Sequence, residues 1–172
     1  MSHTNIEIKA RCVDQDAIRA ILRAHNADFK GVDHQIDTYF NAWRGRLKLR
    51  EGNIENNLIF YERPDSAGPK QSDVSLFRSE PGSTLKEVLK KSLGTLAVVD
   101  KEREIYFIDN VKFHLDTVKG LGTFVEIEAI DKEGTIGKEK LREQCEHYLK
   151  LFGIKDEDLL TNSYSDQVAQ KV

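Results

Sequence analysis

Apolar and ionised residues alternate at a period of two in four separate stretches of this chain. Near the N-terminus Asn5, Glu7, Lys9 and Arg11 interleave with Ile6, Ile8, Ala10 and Cys12. Arg46, Lys48 and Arg50 interleave with Leu47 and Leu49, and Lys112, His114 and Asp116 with Val111, Phe113 and Leu115. Glu126 and Glu128 interleave with Val125, Ile127 and Ala129. A period of two belongs to β-strands, whose successive side chains point to opposite faces. Each stretch therefore predicts a strand with one apolar face and one charged face.

The pattern elsewhere fills in the remaining elements. A strand over 4–12 is followed by a helix over 14–25, with Asp14 as N-cap and Ala17, Ile18, Ile21 and Leu22 as its apolar stripe. Strands are predicted over 34–40 and 44–51, then a turn from Gly52 to Asn57 and a strand over 58–63 ended by Pro64. Residues 64–73, with Pro64, Gly68 and Pro69, predict a loop. A short strand over 74–79 precedes a helix that opens at Pro81-Gly82-Ser83, runs to Ser92 and stops at Gly94. Strands over 96–107, 111–117 and 123–130 are joined by Asp109-Asn110 and by Lys119–Gly122. A helix over 138–152 stops at Gly153, and the tail from Lys155 carries a short helical piece. Strands that outnumber helices, without a βαβ rhythm or a glycine-rich phosphate loop, predict an α+β, mainly antiparallel fold. With no repeat, low-complexity tract or linker, residues 1–172 are expected to form a single domain.

A polar, solvated face is the usual reason for such alternation in an antiparallel sheet. Glu and Lys are nevertheless depleted in strands, where Thr and Tyr are favoured, and here nearly every polar position is ionised. An open sheet would leave these charges in water. A closed eight-stranded barrel would turn them inward, with the amphipathic helices covering the apolar exterior. An ionic lumen must then be internally paired, wet, and occupied by ligand and metal.

Composition narrows the partners. With 26 Lys and Arg against 29 Asp and Glu, the net charge is −3 and the pI about 6.0, so no global basic field exists and no nucleic-acid partner is expected. Cys12 and Cys145 lie far apart, match no metal spacing and predict reduced cysteines. No apolar signal segment or membrane-length run occurs, so a soluble, cytoplasmic protein without a membrane partner is expected.

Asn5-Ile6-Glu7-Ile8-Lys9 resembles the N-terminal Glu-x-Glu-x-Lys signature of the CYTH family, the triphosphate tunnel metalloenzymes, which includes class IV adenylyl cyclases and thiamine triphosphatases. The order of later segments agrees: Gln35-x-Asp37-x-Tyr39-Phe40, Leu47-Lys48-Leu49-Arg50 and Lys101-Glu102-Arg103. The most specific stretch is His114-Leu115-Asp116 followed by Gly120-Leu121-Gly122-x-Phe124-Val125-Glu126-Ile127-Glu128. Ser163-Tyr164-Ser165-Asp166 is similar to the C-terminal end of the cyclase-like branch. The resemblance implies a closed eight-stranded antiparallel β-barrel with helices outside, whose lumen holds a triphosphate with Mg2+ or Mn2+. It implies Glu7, Glu126 and Glu128 as metal ligands. It implies Lys9, Arg11, Lys48, Arg50, Lys101, Arg103 and Lys112 as triphosphate-binding residues, with Lys9, Arg103 and Asp116 as catalytic candidates.

Two departures and several single residues stand apart. Asn5 replaces the first signature glutamate and brings no charge to a metal that prefers carboxylates. Around Pro64 either Glu62 or Arg63 faces the lumen. Asp116 is open to three roles (binding metal, orienting a lysine, activating a nucleophile) or to capping the strand end. His114 is expected to be structural, Trp43 to cover core, and Tyr164 either to close a barrel mouth or to pack the tail. The function expected is a metal-dependent adenylyl cyclase or triphosphatase with a small-molecule triphosphate substrate, with a homodimer as the assembly allowed. The alternative is a non-catalytic polyphosphate- or nucleotide-binding module, which Asn5 favours.

Overall fold

Eight antiparallel strands close on themselves in the computed structural model, which describes residues 2–170. The strands are β1 (Ser2–Arg11), β2 (Asp28–Phe40), β3 (Arg46–Glu51), β4 (Asn57–Glu62), β5 (Lys70–Arg78), β6 (Thr95–Ile108), β7 (Val111–Val118) and β8 (Gly122–Asp131). Around the barrel they run β1-β5-β4-β3-β2-β6-β7-β8, and β8 pairs back onto β1. The helices are α1 (Gln15–Ala24), α2 (Leu85–Leu93), α3 (Lys138–Leu151) and α4 (Tyr164–Gln170). The expected fold class is the one observed.

Closure is what separates the two faces. The apolar face of β1, β7 and β8 points outward and is covered by helices. Ile6, Ile8, Val111, Phe113, Leu115, Val125 and Ile127 pack against Ile18 and Leu22 of α1 and Leu141 and Cys145 of α3. Burying one such aliphatic or aromatic side chain contributes roughly 1.5–3 kcal/mol, so this layer anchors three strands of the charged lumen. Asp14 caps α1 as expected, accepting from the Ala17 amide at 3.1 Å.

The structure corrects several expectations. β2 begins at Asp28 rather than His34, because β6 is long enough to pair with it through a bulge at Phe29/Gly31, and backbone pairing needs no apolar alternation. β5 begins at Lys70, inside the segment expected to be loop; Lys70 and Gln71 pair with Glu7 and Ile6 of β1. Trp43 is 98% exposed and covers no core. α2 fully buries none of its residues; Leu85 and Leu89 of its predicted apolar side are half-buried, while Val88 is exposed. Cys12 and Cys145 are free and buried. No helix among the described residues is long and apolar enough to cross a membrane.

Candidate functional site in the barrel lumen

The inward faces surround a cavity of about 250 Å³, slightly below the usual range of about 300–1,000 Å³ for small-molecule pockets. Period two assigns the lining: Asn5, Glu7 and Lys9 from β1, Lys48 and Arg50 from β3, Lys101 and Arg103 from β6, Lys112 and His114 from β7, Glu126 and Glu128 from β8. Among the described residues eight Lys and Arg but only four carboxylates line it. Asp37 and Asp116, both fully buried, stand behind the cations.

Those two aspartates hold the cations in place. Asp37 accepts from Arg50 at 2.9 and 2.8 Å and from Lys101 at 2.7 Å, with Lys48 at 3.4 Å. Asp116 accepts from Arg103 twice at 2.7 Å. It also accepts from the Tyr164 hydroxyl at 2.8 Å. Tyr164 stands across that end of the lumen, its ring 3.7 Å from Lys9 Nζ. Arg46 ties α4 to β3 through Asp166 with two contacts of 2.8 Å. Tyr164 therefore both bounds the cavity and packs the tail.

Two of the lysines are held below their ordinary range, whereas Arg50, Arg63 and Arg103 are raised by their carboxylate partners. Burial lowers the Lys9 ammonium to about 8, although Glu126 opposes the shift. Burial pushes Lys101 well below an ordinary lysine despite Asp37, and Arg103, Arg50 and Lys48 push the same way. An anion entering the lumen would reverse both shifts.

The carboxylates gather on β1 and β8, where the register sets Glu7 opposite Glu128 and Lys9 opposite Glu126. Burial pushes the Glu128 carboxyl up to about 7, and Glu7 adds to the rise. Burial acts on Glu126 in the same sense, but the neighbouring cations, Lys9 foremost and Arg103 with it, hold that carboxyl well below the usual range. Asn5 donates to Glu128, and Arg63 donates to Glu7. His114, Glu126 and Glu128 bring ligand atoms within 4.8 Å of one another. Among the described residues both His114 ring nitrogens and Asn5 Oδ1 are buried without a hydrogen-bond partner. Unpaired buried polar atoms are costly, and a divalent cation among these carboxylates would engage one of the two His114 nitrogens. The residues present therefore fit such an ion.

At the opposite end of the lumen, Glu55 reaches in from the segment between β3 and β4 and accepts from Lys112, from Gln35 at 3.1 Å and from Arg50 at 3.3 Å. Buried Asp33 fixes that segment by accepting from the amides of Ile54 at 2.9 Å and Glu55 at 3.0 Å.

Of the residues singled out in the sequence, Glu7, Lys9, Lys48, Arg50, Lys101, Arg103, Lys112, Glu126 and Glu128 all meet on this one cavity. Arg11 does not. It is exposed at the end of β1, with its guanidinium 5.6 Å from the Phe124 ring, because the strand outruns the lumen. Asp116 lies behind Arg103 with both oxygens engaged, out of reach of the cavity. Arg63 faces the lumen while Glu62 pairs outside with Arg44 at 2.6 Å. Sequence reasoning missed Glu55, which sits in a turn without periodicity. His114, expected to be structural, is buried and lines the same cavity, as its parity with Lys112 places it.

A family model described as CYTH domain matches residues 3–164. A relative from Methanocaldococcus jannaschii, named "Putative adenylate cyclase", is 26% identical over 92% of this chain and 95% of its own length. The solved structure of a Pyrococcus horikoshii protein superposes with a TM-score of 0.80 at 25% identity, covering 95% of this chain and 99% of that one. A Hippeastrum protein, described as an adenylyl cyclase candidate with a dominant triphosphatase activity, shares the fold at a TM-score of 0.62 and 16% identity over 98% and 95% of the two chains.

Proposed function

The chain belongs to the CYTH domain family, and from that premise we propose that it is a metal-dependent enzyme that cleaves a phosphoanhydride bond of a triphosphate held in the lumen. The observation that carries this reading is the excess of cations around the lumen: among the described residues eight Lys and Arg line it against four carboxylates, an excess that Asp37 and Asp116 behind them reduce but do not cancel. A triphosphate brings about four negative charges near neutral pH. Lys9 and Lys101, depressed by burial and by neighbouring cations, would regain their ordinary affinity for protons against it.

Phosphoryl chemistry is mainly positioning and charge neutralisation. Lys48, Arg50 and Lys101, fastened to Asp37, and Arg103, fastened to Asp116, present donors that need no reorganisation when the anion arrives. Glu126 and Glu128, with Glu7 beside them, would hold Mg2+ or Mn2+. When bound, the ion would supply Lewis-acid polarisation of a phosphoryl oxygen. Tyr164 excludes water from one end. Attack by water on the terminal phosphorus would make the protein a triphosphatase; attack by the ribose 3′-hydroxyl on the α-phosphorus would make it an adenylyl cyclase. The description of the Hippeastrum protein bears on the first outcome, and the name of the archaeal relative on the second.

A panel of ATP, thiamine triphosphate and inorganic triphosphate, each with Mg2+ or Mn2+, tests the reading. Orthophosphate release identifies a triphosphatase, and pyrophosphate with cyclic AMP identifies a cyclase. Glu126→Gln should abolish either while the circular dichroism spectrum is unchanged. Tight triphosphate binding with no product from any substrate would favour a binding module instead, the reading that Asn5 supports.

A further inference from the structure

His114 is 1% exposed and lines the lumen directly opposite Glu126 on the neighbouring strand, with a ligand atom within 4.8 Å of both Glu126 and Glu128. Its Nδ1 lies 3.6 Å from Glu126 Oε2, beyond hydrogen-bond reach. The neighbouring donors are committed elsewhere: Lys112 to Glu55, Arg103 to Asp116. Both ring nitrogens are thus left without a partner in a buried polar cluster. A core histidine that served packing alone would have at least one nitrogen paired.

We infer that His114 is a direct nitrogen ligand of the divalent cation held by Glu126 and Glu128, and that the lumen therefore selects Mn2+ or Co2+ over Mg2+. The inference rests on the proposed metal site and concerns which ion occupies it. Mg2+ takes oxygen ligands in a strict octahedron and gives up water reluctantly. Imidazole suits first-row transition ions, whose affinity for a mixed nitrogen and oxygen site rises from Mn2+ to Co2+. Asn5 borders the same group by donating to Glu128, and its carbonyl oxygen has no hydrogen-bond partner among the described residues.

The test needs no substrate. Chelator-stripped protein is titrated calorimetrically with Mg2+, Mn2+ and Co2+, and pulsed electron paramagnetic resonance is recorded at substoichiometric Mn2+. His3 also lines the cavity, so His3→Ala is the control. The wild type and His3→Ala should show nitrogen coupling to Mn2+, and His114→Gln should lose it. Co2+ should bind wild type at least about tenfold more tightly than Mg2+, and His114→Gln should remove most of that difference while moving Mg2+ affinity less than about threefold. Absence of nitrogen coupling in the wild type, its loss in His3→Ala, or its survival in His114→Gln overturns the inference. If His114→Gln does not fold, the wild-type and His3→Ala spectra decide alone. Product formation without nitrogen coupling would sink the inference and leave the proposed activity standing. Nitrogen coupling without product from any triphosphate would do the reverse.

Discussion

Arg103 on β6 and Asp116 on β7 meet in a bidentate pair, both contacts 2.7 Å, with the carboxylate fully buried and the guanidinium edge turned to the lumen. The aspartate does not line the cavity itself and acts on it through Arg103 and the Tyr164 hydroxyl. Asp116→Asn should keep the shape and lose the charge, destabilising the protein by about 2–4 kcal/mol, since an unpaired buried ion is costly. Turnover should fall with it, and the loss should appear in kcat/KM because Arg103 is no longer aimed. Thermal melts and steady-state kinetics on the variant check this; an unchanged melting temperature would mean that the pair is not formed in solution.

Glu128 gives the metal-free protein a pH dependence of a definite sign. Its carboxyl is raised in the folded state from 4.5 to about 7. A raised carboxyl favours folding fully below the unfolded value and loses that contribution as pH climbs through the folded one. Between pH 4.5 and 7 this group should withdraw on the order of 3 kcal/mol at about 1.4 kcal/mol per unit. Chelator-treated protein should therefore show a loss of stability from this group across that window, and Glu128→Gln should flatten the slope. A variant that tracks wild type at every pH would refute the assignment.

Lys9 predicts proton uptake on ligand binding. Its ammonium is lowered to about 8 in the free lumen, and a bound polyanion restores it. Near that pH, calorimetric titration with inorganic triphosphate in buffers of different ionisation enthalpy should show protons taken from buffer. Lys9→Met should reduce the uptake. Release of protons would contradict the charge-deficient lumen.

Asn5 donates to Glu128 across the β1–β8 pair, so position 5 belongs to the same acidic group. Asn5→Glu should tighten Mn2+ and Mg2+ by about 1 kcal/mol, or several-fold, and should lower the stability of the metal-free protein through repulsion from Glu128. Calorimetry with each ion decides. Equal metal affinity in both proteins would place residue 5 outside the ligand shell and remove the reason to doubt activity on its account.

Gly52 lies where any side chain would strike the anchor of the Glu55 segment. A Cβ there would stand 2.7 and 2.8 Å from the Asp33 carboxylate oxygens and 2.8 Å from the Glu55 carbonyl. Gly52→Ala should therefore cost about 1–3 kcal/mol through forced backbone shifts and release Glu55 from Lys112. Anion affinity should then change as well. A melting temperature equal to that of the wild type would refute the close approach.

The strict alternation in β1, β3, β7 and β8 was enough to separate an apolar face from a charged one and to put Glu7, Lys9, Lys48, Arg50, Glu126 and Glu128 on a common side. Side-chain direction in a strand follows from parity, which is a local property of the chain. The direction of that face, inward or outward, is not local. It depends on β8 returning to pair with β1, a contact between the two ends of the barrel sequence. The start of β5 at Lys70 was likewise hidden among prolines and glycines, since its partner β1 rather than its own pattern stabilises it. Only the folded barrel decided that Arg11 overshoots the lumen, that Asp116 stands behind Arg103, that Arg63 rather than Glu62 turns inward, and that Glu55 enters from a turn. Each is a question of which residues far apart in sequence occupy the same few ångströms. In a closed barrel, strand length and stagger settle that question, and one sequence read strand by strand does not contain them.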